Sequence, residues 1–403
     1  MNINSWLTAR RVRIHGLLLA VCLWTVYAVD MSVPGLLDRN GLVKGTDFLH
    51  FYTLGNLGLR GRGDLLYNMR AQAQLAREWV AQAPNSLYVP LYGPQMSLFF
   101  APFARLPYGW ALAAWLAVNA LIYAFCCHAV WKCCPSLQAD RWTVLILAVA
   151  FPGFFHLMAW GQTSGLALLC FTLAYLALRR DRTLLAGLAI GSVIFKPQLG
   201  LAAAAVFVFA REWKIVAGAV AAASIQLAAA WMHYGTEVMR AYFRALMHLR
   251  EVLPLLEPRL YQTHSLRSFW SLLLPWPRVV FALYAVSALG ILVLAIQCWR
   301  RKAPLSIRFS ALLFATVLVS PHLTVYDLVI LAPAFLLLGD WALAHREQHV
   351  GLRVQQLMYI CYLLFLMGPL ARMTHLQLSV AAMTALLWIC WHISSLKLSS
   401  WAE

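Results

Sequence analysis

Five short segments of the chain combine ionisable or amide side chains with aromatic residues, proline or serine. They are Asp47 with His50 and Tyr52, Trp160-Gly161-Gln162, Lys196-Pro197-Gln198, His264-Ser265-Leu266-Arg267, and Ser320-Pro321-His322 with Tyr326 and Asp327. A carboxylate can take a proton from a hydroxyl group, and cationic side chains can stabilise a departing phosphate. Because ionisable groups near hydrocarbon usually line a cavity or a substrate path, the segments suggest a single reactive cavity.

The rest of the composition is that of a membrane protein. Of the 403 residues, 62% are hydrophobic and 12% are charged, whereas soluble domains are about half apolar and a quarter charged. Apolar runs of roughly 17–25 residues recur along the chain, and each is long enough to cross a bilayer as a helix. Much of the net charge of +17 lies in short Arg and Lys clusters between these runs, so it orients helices and argues against nucleic-acid binding.

The positions of these clusters predict the topology. Arg10, Arg11 and Arg13 precede the first apolar run, which we expect to be retained because no small-residue cleavage site follows it. Placing all the clusters in the cytoplasm predicts an all-α polytopic protein with about twelve transmembrane helices and both termini cytoplasmic. The expected spans are about 14–34, 109–131, 142–159, 163–179, 183–196, 198–210, 214–232, 278–298, 306–320, 326–343, 352–370 and 375–395.

Two long external loops, about 35–108 and 233–277, are expected to carry interfacial helices. The apolar segment from Tyr88 to Leu106 belongs to the first loop, because counting it as a span would place every later cluster outside. Its three prolines favour an interfacial or re-entrant helix. No room remains for a soluble domain, so residues 1–403 are predicted to form one membrane domain.

In this topology all five polar segments fall at outward-facing turns. Each residue also has a simpler interpretation: Lys196 would reach the headgroups, Gln162, Asp47 and Asp327 would cap helices, and His322 would be an interfacial histidine. Their coincidence on one side favours an external cavity lined by acid, base and cation. The paired cysteines around His128 lack zinc-site spacing, so no metal is expected. All nine cysteines lie within the predicted spans or at their cytoplasmic ends, so no disulfide is expected.

Seven motifs follow one another along nearly the whole chain. They are T-D-F-x-x-F-Y at 46–52, G-R-G-x-x-L-Y-N at 61–68, the aromatic and proline-rich segment 88–107, A-W-G-Q at 159–162, L-A-G-L-A-I-G followed by K-P within 185–197, H-S-L-R-S-F at 264–269, and S-P-H-x-x-x-Y-D at 320–327. In this order they resemble glycosyltransferase family 87. One departure is His264, which stands where many members have Gln in N-Q-S-L-R, so the donor or acceptor preference is expected to differ.

The resemblance implies a GT-C fold and an active site on the outer face of the cytoplasmic (inner) membrane. The implied reaction moves a sugar, mannose by family precedent, from a polyprenyl-phosphate donor to a hydroxyl of a glycolipid or envelope-glycan acceptor. It needs membrane lipids but no cofactor or nucleic acid. Asp47 is expected to be the general base of an inverting displacement. A twelve-helix transporter or lipid-linked sugar flippase is the main alternative, and a non-catalytic assembly protein is a second.

The remaining candidate residues would bind the substrates. Lys196, Arg267 and His322 are the candidates for stabilising the leaving phosphate, since charge-assisted contacts to phosphate are the strong ones. The other predicted substrate-binding residues are Tyr52, Arg62, Gln162, His264 and Asp327.

Overall fold

The structure, a computed structural model, describes residues 7–81, 88–248, 251, 259–301 and 303–395. Within these residues the chain is helical, and β pairing is confined to two isolated bridges. The helices, numbered in chain order, are α1 (Ala9–Met31), α2 (Thr46–Leu59), α3 (Met69–Trp79), α4 (Gln95–Phe100), α5 (Tyr108–Trp131), α6 (Pro135–Gln138), α7 (Arg141–Val149), α8 (Pro152–Trp160), α9 (Ser164–Leu178), α10 (Thr183–Gly191), α11 (Pro197–Phe209), α12 (Trp213–Met247), α13 (Leu266–Leu273), α14 (Pro277–Arg300), α15 (Leu305–Val319), α16 (Ala332–Ala344), α17 (His349–Leu364), α18 (Gly368–Thr374) and α19 (Leu378–Ser395). Short 3₁₀ helices lie at Gly63–Leu65, Phe103–Arg105, Ser192–Phe195, Leu260–Gln262 and Val325–Leu331.

Several of these helices have the length and composition of membrane spans. Six qualify outright within the described residues: α1, α5, α12, α14, Val325–Ala344 and α19. The bent pairs α7 with α8 (41°) and α17 with α18 (81°) raise the number to eight if each pair is one span. Each predicted span coincides with a helix or a helix pair. The count of twelve is not confirmed, because four of the apolar helices, including α9 and α15, have 10–17 residues.

The first predicted external loop contains a helix that packs into the protein. Every residue of α2 from Phe48 to Leu57 is buried, and Phe51 stacks on Phe100 of α4 at a centroid distance of 5.0 Å. The segment from Tyr88 to Leu106 is not a continuous helix, as its prolines predict: the backbone is non-helical up to Pro94, and α4 and a 3₁₀ turn follow.

The second predicted loop begins with a helical segment that follows a break at Gly235, close to the expected start at 233. Helix α12 continues to Met247 through a break at Gly235, whose φ is 79° and ψ is −179°. Part of the loop lies outside the described residues. Its final segment, with α13, returns to the protein, where Thr263 pairs with Thr324 in an isolated bridge.

Two glycines allow α2 to approach its neighbours closely. Gly45, which precedes α2, has φ of 62°, and a Cβ there would lie 2.4 Å from Leu112 of α5. Gly161 ends α8 with φ of 65°, and its Cβ would lie 2.8 Å from the Cβ of Phe48. Both positions therefore require the left-handed backbone and the absence of a side chain. This contact places Gln162, the residue after Gly161, beside the first turn of α2.

Candidate active site

The centre of the site is a hydrogen bond between Asp47 and Gln162. Gln162 Nε2 donates to Asp47 Oδ2 at 2.7 Å. The Gln162 amide is oriented by its Oε1, which accepts from the Thr163 backbone N at 3.0 Å. Asn119 Nδ2 donates to the Gln162 backbone O, also at 3.0 Å. The amide is therefore fixed with its N–H directed at the carboxylate.

The surroundings of Asp47 make its carboxylate more basic than usual. Burial raises the pKa of Asp47 to about 6, while the Gln162 hydrogen bond and the Lys196 charge act in the opposite direction. The group is largely ionised at pH 7, yet it accepts a proton more readily than an exposed Asp. This is the combination that a general base requires.

Lys196 and Asp327 form a buried ion pair in the same cluster. Lys196 is only 2% exposed, and its Nζ donates to Asp327 Oδ1 at 2.7 Å and to Ser164 Oγ at 2.9 Å. Its ammonium also lies 5.0 Å from the centre of the Tyr326 ring. Burial lowers the pKa of Lys196, but the charge and hydrogen bond of Asp327, together with Tyr92 and Asp47, outweigh it and the pKa is raised. Lys196 is therefore a cation inside the protein, and the headgroup interpretation is wrong.

Asp327 has two roles in this arrangement. Its Oδ2 accepts from the Thr324 backbone N at 3.3 Å, which completes a capping box at the start of the Val325–Leu331 helix. The cap was expected from the sequence, whereas the bond of Oδ1 to Lys196 was not. The Thr324 backbone thus holds Asp327, the anionic partner of Lys196, in place.

His322 and Arg267 lie beside the ion pair. The charges of Asp327, Lys196, Arg267 and Asp47 all act on the His322 ring, but burial is the strongest effect and lowers its pKa to about 4. His322 is therefore neutral at physiological pH, and its contact with the leaving phosphate, which stays a prediction, would be a hydrogen bond from a neutral ring. Arg267 Nε donates to the backbone O of Pro321, the residue before His322.

Three other predicted residues do not contact Asp47 or Lys196 in the described part of the chain. Arg62 has a side chain that is 53% exposed and pairs with Asp64 at 2.8 Å on the surface. Tyr52 donates its hydroxyl to the Leu106 backbone O at 2.9 Å. His264 Nδ1 lies 2.7 Å from Ser379 Oγ, and burial lowers the pKa of His264 to about 3. Their substrate-binding roles stay predictions.

The sequence did not assign a role to His50, although its position was informative. His50 is buried, its ring stacks on Tyr88 at a centroid distance of 5.1 Å, and both ring nitrogens lack hydrogen-bond partners among the described residues. Burial lowers its pKa to about 4, so the ring is neutral. Spacing i, i+3 on α2 places His50 on the same face as Asp47.

Two tyrosines connect the segment before α4 to the acid. Tyr88 donates its hydroxyl to the Thr46 backbone O at 2.5 Å. Tyr92 donates to Gln162 Oε1 at 3.4 Å, and its ring lies 5.9 Å from that of His50. The segment therefore covers the first turn of α2, together with the acid and its amide partner.

Comparison with known proteins decides the family. A model of glycosyltransferase family 87 matches residues 91–321, which is more than half of the chain. The chain belongs to glycosyltransferase family 87. No curated protein and no solved structure matches it. This family-87 chain is a membrane glycosyltransferase. The matched range contains Gln162, Lys196 and Arg267, whereas Asp47 precedes it and His322 and Asp327 follow it.

Proposed function

We propose that this family-87 enzyme transfers a sugar from a polyprenyl-phosphate donor to a hydroxyl group of a glycolipid or envelope glycan. The observation that carries the proposal is the basic Asp47 carboxylate, held by Gln162 at 2.7 Å near a buried lysine. One group accepts a proton and the other stabilises an anion, which are the two requirements of displacing a phosphate. By family precedent the sugar is mannose, the fold is GT-C, and the site faces outward from the cytoplasmic membrane.

In the proposed step, the acceptor oxygen attacks the anomeric carbon from the face opposite the phosphate. The bond between the anomeric carbon and the phosphate oxygen breaks, and its electron pair stays on the leaving phosphate. Asp47 takes the proton of the acceptor hydroxyl as the new glycosidic bond forms. A single displacement of this kind inverts the anomeric configuration.

The proposed cationic residues are Lys196 and Arg267. Lys196 would donate to the leaving phosphate, and Asp327 would keep the ammonium charged and positioned before the donor binds. His322, being neutral, would act as a hydrogen-bond donor to the same phosphate. His50 would satisfy its ring nitrogens with hydroxyl groups of the sugar or the acceptor.

The test is turnover by the purified protein in lipid nanodiscs, with a panel of polyprenyl-phosphate sugars and glycolipid acceptors. We expect Asp47→Asn to reduce turnover by about 10²–10⁴-fold, because the amide cannot accept the proton. Glu237→Gln is the matched control, since it makes the same carboxyl-to-amide change at a side chain that is 79% exposed. Turnover of Asp47→Asn at the wild-type rate, or a product with retained configuration, would overturn the mechanism.

A further inference from the structure

A second polar cavity lies far from Asp47, at the opposite ends of two helices that border the active site. Its volume is about 450 Å³. Helix α11 begins beside Lys196 and ends at this cavity, and α15 runs from the cavity to the turn before His322. At 1.5 Å per residue, these helices separate the two sites by about 20 Å.

The walls of the cavity carry an excess of positive charge. Among the described residues, the cavity is lined by Arg300 and Arg301 at the end of α14, by Arg308 in α15 and by one carboxylate, that of Glu212. Glu212 Oε1 accepts from Trp299 Nε1 at 3.2 Å, so this carboxylate holds the tryptophan ring. Three guanidinium groups around one cavity repel one another, and an anion between them would relieve the repulsion.

Arg308 is the residue that points most clearly to a ligand. Its guanidinium lies 5.2 Å from the centre of the Trp299 ring, a cation–π contact. Its Nε is buried and has no hydrogen-bond partner in the part of the chain that the structure describes. Leaving a buried donor of a charged group unpaired is costly, so an acceptor from outside the chain would be bound favourably.

We propose that this cavity binds a phosphate group, either in the headgroup of an anionic membrane lipid or as free phosphate. Planar guanidinium groups match phosphate oxygens with two parallel hydrogen bonds. Basic pockets between membrane helices bind lipid headgroups, and Trp299 and Trp391, the latter 4.9 Å below the Arg301 guanidinium, are residues typical of the headgroup level. Phosphate binding in this second cavity is independent of the sugar transfer proposed at Asp47.

The experiment measures ligand binding to the purified, detergent-solubilised protein by native mass spectrometry and by the shift in its unfolding temperature. The probes are phosphatidylglycerol, phosphatidylcholine as the lipid without net charge, and inorganic phosphate. We expect phosphatidylglycerol to bind more tightly than phosphatidylcholine. Arg308→Gln and Arg300→Gln should each weaken it about tenfold, because each removes a charge-assisted contact.

Arg180→Gln is the matched control, since it removes one exposed arginine at the end of α9, outside the cavity, and should leave binding unchanged. Arg300 is exposed, so its variant is expected to fold even if Arg308→Gln does not. If millimolar inorganic phosphate displaces the lipid, the ligand is free phosphate. If it does not, the ligand is the lipid headgroup. Equal binding of both lipids, or wild-type binding by either Arg300→Gln or a folded Arg308→Gln, would overturn the proposal.

Discussion

The pKa of Asp47 predicts how activity depends on pH. Turnover should fall on the acid side with a midpoint near pH 6, as Asp47 becomes protonated and can no longer act as a base. The pKa values of His50 and His322 are about 4, so these histidines would not produce an inflection there. The measurement is kcat/KM between pH 4.5 and 8.5 with a saturable lipid acceptor. An acid limb that begins only below pH 5 would contradict the assignment of Asp47 as the base.

The same pKa predicts an effect on stability. Since the folded-state pKa of Asp47 is raised above the usual value of 3.8, the folded protein disfavours the ionised form. The protonated form of Asp47 therefore contributes stability that is fully present below the unfolded-state pKa and is lost as the pH rises through about 6. Asp47→Asn should therefore unfold at a higher temperature than the wild type at pH 8, with a smaller difference at pH 5. A lower unfolding temperature at pH 8 would show that the carboxylate stabilises the fold.

Testing the catalytic role of the Lys196–Asp327 pair requires a double substitution. Lys196→Ala alone leaves Asp327 buried without its partner, which should destabilise the protein by about 3–5 kcal/mol and obscure any catalytic effect. Lys196→Gln combined with Asp327→Asn replaces the pair with neutral hydrogen-bonding groups. We expect this variant to fold and to lose about 10²–10³-fold in turnover, measured beside its thermal unfolding. Near-normal turnover of a folded double variant would assign the pair to structure alone.

Much of the candidate site could be predicted from residue type and position. Asp47, Gln162, Lys196 and Asp327 were all chosen because polar groups at helix ends are costly in an apolar chain, and the structure brings them together. Their partners could not be predicted, because Lys196 and Asp327 are 131 positions apart and only the fold sets their distance. The charge state of His322 could not be predicted from the sequence either, since it depends on burial.

At the level of elements, the contact between α2 and the end of α8 is sensitive to one methyl group. Gly161→Ala adds a Cβ 2.8 Å from that of Phe48 as well as straining a positive φ. Gly61→Ala is the matched control, because its φ is 64° and no heavy atom lies within 4 Å of the added Cβ. We expect Gly161→Ala to be less stable than the control by about 1–3 kcal/mol, and to lose activity as Gln162 shifts from Asp47. Equal unfolding temperatures would contradict this.

The sequence predicted the long helices better than the helix that carries the acid. Apolar runs of span length identify helices such as α5 and α14 directly. Helix α2 has 14 residues and includes polar groups, so it was expected to be part of a loop. Its burial depends on close approaches at Gly45 and Gly161, which hydropathy does not register.

For the whole molecule, the topology predicts which surfaces reagents can reach. Asp47, Lys196 and His322 should lie outside, and Arg180 and Arg301 inside, because the Arg and Lys clusters mark the cytoplasmic side. In a background with the exposed Cys22 replaced by Ser, a membrane-impermeant maleimide should label Asn40→Cys in intact cells. It should label Arg180→Cys only after permeabilisation. The reverse pattern would invert the topology and place the active site in the cytoplasm.

The ion pair between Lys196 and Asp327 also has a consequence for inheritance. A change at either position alone leaves a buried charge without its partner, so we expect the two positions to vary together among homologues. The family match covers residues 91–321, so it includes the lysine but neither Asp47, which precedes it, nor Asp327, which follows it. Alignments of homologues confined to that range would miss both carboxylates and the coevolution that links one of them to the lysine.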